Sequence, residues 1–271
     1  TKGDVTIDTP LAKIGGKGLF TKELEDSMLS GQTHIAVHSL KDVPVAFLDG
    51  LVLAAICSRE DVRDAMISQR YVKFDDLPQS AKVGTTSLRR KMQLLRMRPD
   101  LNIISLRGNV QTRLRKLKEG EFDAIILAMA GINRLNLADE VAHIYPFDIA
   151  QMTPAMGQGA LGVEAVDDAQ ILEKIKFLND ERSVIETRVE RDFVTLLEGG
   201  CQVPIGINAR LAGEEIEINA IVGLPDGSEV ITENLTAKKS EFESVGKELA
   251  REFIARGAKE LLKRAEEMAN L

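Results

Sequence analysis

The sequence contains no tryptophan, two cysteines and three histidines among 271 residues, and its apolar runs are short. Cys57 and Cys201 lie far apart in dissimilar settings, so we expect no disulfide framework and a reducing, cytoplasmic compartment. Three histidines without paired cysteines make no zinc-ligand set, so we expect no metal site. The longest apolar stretch, residues 124–130, has strand length, whereas a membrane span needs roughly 20 residues, so we expect no membrane association.

Positive charge is unevenly distributed in a chain whose net charge is −7. Residues 82–118 contain eleven basic residues and one acid, Asp100, whereas the remainder has 24 basic and 41 acidic residues. The acidic remainder would repel a long polyanion, and with two tyrosines and nine phenylalanines stacking platforms are scarce, so we expect no nucleic-acid partner. Arginine forks suit a small carboxylate or phosphate ligand. The alternative of a solvated helix face applies best to Lys91, Arg96, Arg98, Arg115, Lys116 and Lys118.

Helical and apolar segments alternate in the first two thirds of the chain. The pattern predicts helices over 22–29 and 110–118, ended by Gly31 and Gly120. It predicts a buried strand over 34–38 and another over 122–128. This alternation is typical of an α/β fold with largely parallel sheets, in which ligands bind at loops beyond the carboxyl ends of strands.

The pattern changes near Asp180. An amphipathic helix over 183–198 precedes Gly199-Gly200, and three alternating strands are predicted over 207–211, 216–222 and 229–235. A single last helix is predicted from about 241 to 268. These elements predict a C-terminal α+β domain with a three-stranded antiparallel sheet. At the other end, Thr1-Lys2-Gly3-Asp4 resembles the middle of a domain, and we expect that an N-terminal segment is missing.

Two loops are candidate anion sites because each follows a strand and opens a helix. In Gly84-Thr85-Thr86-Ser87-Leu88-Arg89-Arg90, the hydroxyls of Thr85 and Ser87 and the free N–H groups can receive an anion. Ser87 alone is typical of an N-cap, and the adjacent Arg89-Arg90 pair favours a ligand site. In the second loop, Leu106-Arg107-Gly108-Asn109, Arg107 precedes a glycine that permits close approach of the backbone, and the helix carries Arg113.

Three further segments carry candidate chemistry. Asp42, in Ser39-Leu40-Lys41-Asp42, is either a turn residue or a carboxylate that stabilises a cation beside the arginines. Cys201 lies on a glycine-bounded loop, where a thiol near positive charge becomes nucleophilic, whereas Cys57 is typical of a core. Gly15-Gly16-Lys17-Gly18 lacks the Ser/Thr of a phosphate loop, so we interpret it as a lid whose charge comes from Lys13 and Lys17.

Five motifs together resemble the porphobilinogen deaminase (hydroxymethylbilane synthase) family. They are Gly-Gly-Lys-Gly-Leu-Phe at 15–20, Ala-Val-His-Ser-Leu-Lys-Asp-Val-Pro at 36–44, Gly-Thr-Thr-Ser-Leu-Arg-Arg at 84–90, Leu-Arg-Gly-Asn-Val at 106–110 and Glu-Gly-Gly-Cys-Gln-Val-Pro-Ile-Gly at 198–206. They occur in the order of the family and span nearly the whole chain. The family's Arg-x-Ser pair and glutamine near its N-terminus are missing here.

The resemblance implies a cytoplasmic, monomeric transferase of tetrapyrrole (haem) biosynthesis. Such an enzyme condenses four porphobilinogens, with loss of ammonia, onto a dipyrromethane cofactor, and releases hydroxymethylbilane by hydrolysis. It implies a thioether to Cys201 and stabilisation of a cationic azafulvene by Asp42. The pyrrole acetates and propionates would be held by a larger set, with Lys13 and Lys17 on the lid: Ser39, Lys41, Thr85, Ser87, Arg89, Arg90, Arg107, Gly108 and Arg113.

The resemblance also implies three domains, two of them similar to the lobes of type II periplasmic binding proteins. We expect domain 1 to comprise residues 1–57 and 158–178, domain 2 residues 63–151, and domain 3 residues 180–271, with hinges near 57–63 and 151–158. The competing hypothesis is a non-enzymatic, two-domain protein that binds small anions. Such a protein would need the arginines but neither Cys201 nor domain 3.

Overall fold

The computed structural model describes residues 22–43, 47–197 and 203–269. Its strands are β1 (Ile35–Ser39), β2 (Leu51–Ile56), β3 (Asp64–Ser68), β4 (Lys82–Gly84), β5 (Asn102–Ile104), β6 (Ala124–Ala128), β7 (His143–Pro146), β8 (Leu161–Val166), β9 (Ile205–Ala212), β10 (Glu215–Gly223) and β11 (Val230–Lys238). Its α-helices are α1 (Lys22–Leu29), α2 (Leu88–Met97), α3 (Val110–Lys118), α4 (Met129–Arg134), α5 (Ala169–Ile175), α6 (Glu181–Leu196), α7 (Val245–Ala255) and α8 (Ala258–Ala269).

The first sheet has the strand order β1-β8-β2, and both pairings are antiparallel. Met28 of α1 packs against Ala36 and Leu51 on one face of this sheet. The prediction of a strand near 34–38 is confirmed, but the prediction that it is buried is wrong, because Val37 is 58% exposed. Successive side chains of a strand point to opposite faces, so Ala36 packs against α1 whereas Val37 points to the other face.

The second sheet has the order β5-β4-β6-β3-β7. Strand β4 runs parallel to β5 and β6, whereas β3 runs antiparallel to β6 and β7. The prediction of largely parallel sheets is therefore wrong, and the reason lies in two connections, residues 57–63 and 147–160, that join the first two sheets. The strand after each connection, β3 or β8, runs against both of its neighbours.

Strand β3 is buried along its whole length and lies between β6 and β7 in this five-stranded sheet. Met66 faces a cluster that includes Leu94 of α2, and Ile67 faces a second cluster that includes Leu114 of α3. Helices thus cover both faces of the second sheet, the layer arrangement of an α/β fold. The predicted class and the helices over 22–29 and 110–118 are confirmed, with Gly31 and Gly120 at positive φ after the helix ends.

The third sheet, β9-β10-β11, is antiparallel throughout and lies in the C-terminal α+β part of the chain. Phe193 of α6 and Phe253 of α7 stack edge to face, 5.0 Å apart between ring centroids, within the core that the helices share with the sheet. The prediction of a single last helix is wrong. Gly257, at φ +91°, interrupts it and separates α7 from α8, because residues with a Cβ rarely adopt this conformation.

Strand β9 has an outer edge whose N–H groups donate to acceptors outside the sheet. The donors and acceptors are Ile207 N to Pro154 O at 2.9 Å, Ala209 N to Glu190 Oε1 at 2.8 Å and Leu211 N to Glu186 Oε1 at 2.9 Å. Arg59 Nη1 lies 2.9 Å from Glu190 Oε1 and 3.4 Å from Glu186 Oε2, and these side chains are buried. We call Arg59, Glu186 and Glu190 the edge cluster. It joins the 57–63 connection to α6 and β9.

Candidate active site

The loop between β4 and α2 is built to present the start of a helix. A Cβ at Gly84 would lie 2.9 Å from Leu106 Cδ2 and 3.0 Å from Phe122 Cδ1, so a larger residue would force these buried side chains to shift. Ser87 is the N-cap of α2, and its Oγ accepts from Arg90 N. Thr85 Oγ1 accepts from Ser87 N at 3.2 Å. The cap predicted for Ser87 is confirmed, and it fixes where the arginine pair begins.

Arg89 and Arg90 are both buried, 4% and 6% exposed, and share one carboxylate. Arg89 Nη1 donates to Asp64 Oδ2 at 2.7 Å, and Arg90 Nη2 and Nε donate to Asp64 Oδ1 at 2.7 and 3.1 Å. Burial opposes ionisation of Asp64, but the two guanidinium groups outweigh it and hold its pKa well below the usual range. Asp64, Arg89 and Arg90 together therefore carry a net charge of +1.

Helix α2 is held by contacts on several sides. Arg89 Nη1 and Gln93 Nε2 donate to Thr153 O at 2.7 and 3.1 Å, and Thr153 N donates to Gln93 Oε1 at 2.7 Å. The turn between β10 and β11 approaches the far end of the helix, where a Cβ at Gly227 would lie 2.7 Å from Met92 O. The 147–160 connection and the third sheet thus both position the helix that begins at the arginine pair.

Lys41 and Asp42 follow β1 in a single 3-10 turn, Leu40–Asp42. Burial lowers the pKa of Lys41, Arg90 lowers it further, and Asp42 raises it. Burial likewise lowers the pKa of Arg113 on α3, Arg90 adds to this effect, and Asp42 opposes it. Asp42 itself is exposed to solvent. Lys41 and Asp42, which follow a strand of the first sheet, therefore interact electrostatically with Arg90 and Arg113, which follow strands of the second sheet.

The loop before α3 has the geometry expected of a close backbone approach. Gly108 is at φ +108°, where a Cβ would lie 2.7 Å from Thr112 Cγ2, so glycine is required. Asn109 is the N-cap of α3 and accepts from Thr112 N at 2.8 Å. Arg113 Nε donates to Gly108 O at 2.8 Å, which fixes the stem of this arginine, and Arg107 is partly buried in the same loop.

The six charged groups Lys41, Asp42, Asp64, Arg89, Arg90 and Arg113 form what we call the cation cluster. Four of its members are bases and two are acids, so with all groups ionised the cluster carries an excess of two positive charges. Burial lowers the pKa of both Lys41 and Arg113, and the charge of Arg90 lowers both further. Bases gathered in this way suit an anionic ligand.

Comparison with known proteins identifies the kind of ligand. A model described as porphobilinogen deaminase, dipyromethane cofactor binding domain, matches residues 1–174, and one described as porphobilinogen deaminase, C-terminal domain, matches residues 184–255. A porphobilinogen deaminase of Campylobacter curvus is 99% identical over 100% of this chain and 87% of its own length. That of Campylobacter concisus is 77% identical over 99% and 87%. The chain belongs to the porphobilinogen deaminase family. The resemblance that the motifs indicated is confirmed.

Solved structures show a looser likeness. A putative methionine-binding lipoprotein of Bacillus subtilis is 12% identical over 65% of this chain and 89% of its own, with a TM-score of 0.38. A putative periplasmic sulfonate-binding protein of Methylobacillus flagellatus is 13% identical over 70% and 58%, with a TM-score of 0.34. Because these values are low, the fold assignment given above rests on the sheets and helices of the chain itself.

The donor set suits the dipyrromethane of the porphobilinogen deaminase family. A group bearing acetate and propionate side chains is a polyanion, and the cation cluster offers two buried and two partly buried bases with one exposed carboxylate, Asp42. The described residues contain no group of three or more His, Cys, Asp or Glu that could hold a metal ion. The same residues include no helix that is both long and apolar enough to cross a bilayer.

The predicted site residues fall into three sets. Lys41, Asp42, Arg89, Arg90 and Arg113 belong to the cation cluster. Ser39, Thr85, Ser87, Arg107 and Gly108 lie in or beside the loops that carry them. Lys13, Lys17 and Cys201 lie outside the described residues. The roles of all three sets in binding and catalysis stay predictions.

Sequence reasoning missed Asp64 and Gln158. Gln158 is 1% exposed, and its Nε2 donates to Asp64 Oδ1 at 3.0 Å and to Val62 O at 2.7 Å. The signal in the sequence was weak. Asp64 directly precedes the apolar run Ala65-Met66-Ile67, so it is an acid at the start of a segment with the composition of a buried strand. Such an acid requires a buried partner, and the arginine pair offers one.

Proposed function

We infer that the chain is an enzyme of the porphobilinogen deaminase (hydroxymethylbilane synthase) type. This transferase condenses four porphobilinogen molecules stepwise, with loss of ammonia, and releases hydroxymethylbilane by hydrolysis, a reaction of tetrapyrrole biosynthesis. The observation that carries the assignment is the group of buried and partly buried bases, Lys41, Arg89, Arg90 and Arg113, in a chain whose first 174 residues match the cofactor-binding domain of the family. A non-enzymatic anion-binding protein would not need the matched C-terminal domain.

The dipyrromethane, when bound, supplies the primer to which substrate pyrroles are added. We propose that Lys41 and Arg113 hold carboxylates of the pyrroles, together with Arg107 and the hydroxyls of the β4–α2 loop. Arg90 contributes its charge and the N–H groups that it does not donate to Asp64 or Ile126 O. Guanidinium forks suit this task because they bind a carboxylate with two parallel hydrogen bonds. Arg89 faces Asp64 and Thr153 O, so its contribution is to hold the start of α2 as well as to add charge.

Asp42 is the group we assign to the chemical step. Its carboxylate is exposed at the end of the 3-10 turn. Its negative charge acts to raise the pKa of both Lys41 and Arg113. A fixed carboxylate at this place stabilises the positive charge that develops on the substrate pyrrole as ammonia leaves. The neighbouring cations hold the substrate's own negative groups away from that centre.

Cys201 is the proposed attachment point, through a thioether, and Lys13 and Lys17 are the proposed cations of the lid. We also propose the domain limits given above, with hinges near 57–63 and 151–158, which lie in the two connections that join the first sheet to the second. Finally, we propose a cytoplasmic monomer that binds neither nucleic acid nor membranes. The acidic remainder of the chain supports the absence of a nucleic-acid partner.

The two cysteines provide a matched test of the attachment. Cys201→Ser should yield a folded protein without the mass of the cofactor, without colour in Ehrlich's reagent and without activity, because a hydroxyl is too weakly acidic to replace a thiolate. Cys57→Ser is the control, since Cys57 lies partly buried directly after β2. It should keep both mass and activity. An active Cys201→Ser protein that carries the adduct would overturn the attachment.

A further inference from the structure

One buried carboxylate organises both arginines at the start of α2. Asp64 is fully buried, and its two oxygens accept four hydrogen bonds: one from Arg89, two from Arg90 and one from Gln158. Arg90 Nη1 is held further by Ile126 O at 2.9 Å. Both guanidinium groups are therefore fixed in orientation before any ligand arrives.

The backbone of Asp64 is as firmly placed as its side chain. It is the first residue of β3, where it pairs with Ala128 of β6, and its carbonyl accepts from Phe147 N at 2.9 Å. Gln158, which also donates to Val62 O, comes from the connection that leads back to the first sheet. The carboxylate thus lies on an interior strand of the second sheet, at the point where two connections meet. It cannot shift without disturbing the sheet.

The charge of Asp64 also sets the balance of the cation cluster. With Asp64 ionised, the cluster carries an excess of two positive charges, and without it the excess would be three. Lys41 is affected directly, since Asp64 and Asp42 raise its pKa while burial, Arg90 and Arg89 lower it.

We propose that Asp64 is the positioning residue of the anion site. It fixes the orientation of the Arg89 and Arg90 guanidinium groups, and its negative charge weakens the attraction of the site for simple anions such as succinate. The inference rests on the proposed function, because porphobilinogen is the anion for which the site is arranged. Asp64 touches the arginines rather than the substrate, so it acts through them. Its loss should impair the use of porphobilinogen while it improves the binding of unspecific dicarboxylates.

The test uses two variants of the full chain, prepared without cofactor. Asp64→Glu keeps the charge and displaces it by one methylene, which should slow the covalent gain of mass from porphobilinogen about tenfold to 10²-fold. Asp64→Asn removes the charge at nearly constant volume. It should show the same slow loading, while the succinate concentration that gives half-maximal thermal stabilisation falls about tenfold, because a unit charge has been removed beside the site.

Asp123→Asn is the matched control, an aspartate directly before β6 in the same sheet whose Oδ2 accepts from Lys82 N at 2.8 Å. It should load porphobilinogen and respond to succinate as the parent protein does. Loading is followed by intact mass, and folding by thermal unfolding.

Several outcomes would overturn the proposal. One is normal loading by Asp64→Glu, and another is a parallel loss of porphobilinogen use and succinate binding in Asp64→Asn. Failure of both variants to fold would make Asp64 a residue of the fold alone. If the parent protein itself gains no mass from porphobilinogen, the proposed function fails, and this inference fails with it. Failure in the variants alone overturns only the role of Asp64.

Discussion

Arg59→Met is a demanding test of the edge cluster. Arg59 is the counter-charge of Glu186 and Glu190, whose oxygens accept the N–H groups of β9. Methionine fills a similar volume without charge, so it leaves two buried carboxylates facing each other. Removal of one partner of a buried ion pair costs about 3 to 5 kcal/mol.

This loss should be visible in thermal unfolding. For domains of 150 to 250 residues, each kcal/mol shifts the midpoint by about 2 to 4 °C, so we expect roughly 6 to 20 °C of destabilisation at neutral pH. Arg182→Met is the control, because Arg182 also pairs with Glu186, at 2.9 Å, but from an exposed position on the same helix. An exposed pair contributes about 0 to 1 kcal/mol, so its midpoint should fall by no more than about 4 °C.

The pH dependence of the deficit provides a second readout. Burial raises the pKa of Glu190 against the opposing charge of Arg59, and removal of Arg59 raises that pKa further. Because the pKa of Glu190 is higher in the folded than in the unfolded protein, its contribution to the free energy of unfolding is greatest below the unfolded pKa, about 4.3 for glutamate. That contribution is lost as the pH rises through the folded pKa. The deficit of Arg59→Met should therefore shrink from pH 7.5 towards pH 5. Equal midpoints for the two variants, or a deficit that does not change with pH, would refute this reasoning.

Three further predictions concern the turn against α2 and the site. Gly227→Ala should lower the unfolding midpoint more than Gly213→Ala. Both glycines have positive φ, so alanine at either position costs about 1 to 3 kcal/mol of backbone strain, but only at Gly227 would the added Cβ also clash with helix backbone. Asp42→Ala should reduce steady-state turnover by about 10²-fold at an unchanged midpoint, and near-normal turnover would make Asp42 a turn residue. Arg107→Lys should slow chain elongation, followed by mass spectrometry of the elongation intermediates, whereas an unchanged rate would contradict carboxylate pairing at this position.

Local elements were the easiest part of this fold to predict. The N-cap at Ser87 and the helix ends at Gly31 and Gly120 depend on residues within one turn of the chain. The structure places all three at the predicted positions. Strand direction was not predictable in this way. Whether β3 and β8 run parallel or antiparallel depends on how the two connections cross between sheets, and the periodicity of a strand carries no information about that crossing.

The site shows the same division. Arg89 and Arg90 stand out in the sequence because basic residues are concentrated there, and Asp42 follows a strand end. Asp64 is 25 residues from Arg89, and Gln158 is 94 from Asp64, so their contacts are products of tertiary packing. A sequence shows that a buried acid needs a partner. It does not show which of many bases takes that place.

The covered edge of β9 bears on how the chain behaves when it is damaged. An uncovered strand edge pairs readily with strands of other molecules and so promotes aggregation. Here the cover consists of two glutamates of α6 and one carbonyl of the 147–160 connection, and the two glutamates are lost as soon as α6 moves away. Substitutions that loosen α6 should therefore reduce the yield of soluble protein by more than their cost in unfolding free energy indicates, because the released edge makes partial unfolding a route to irreversible self-association.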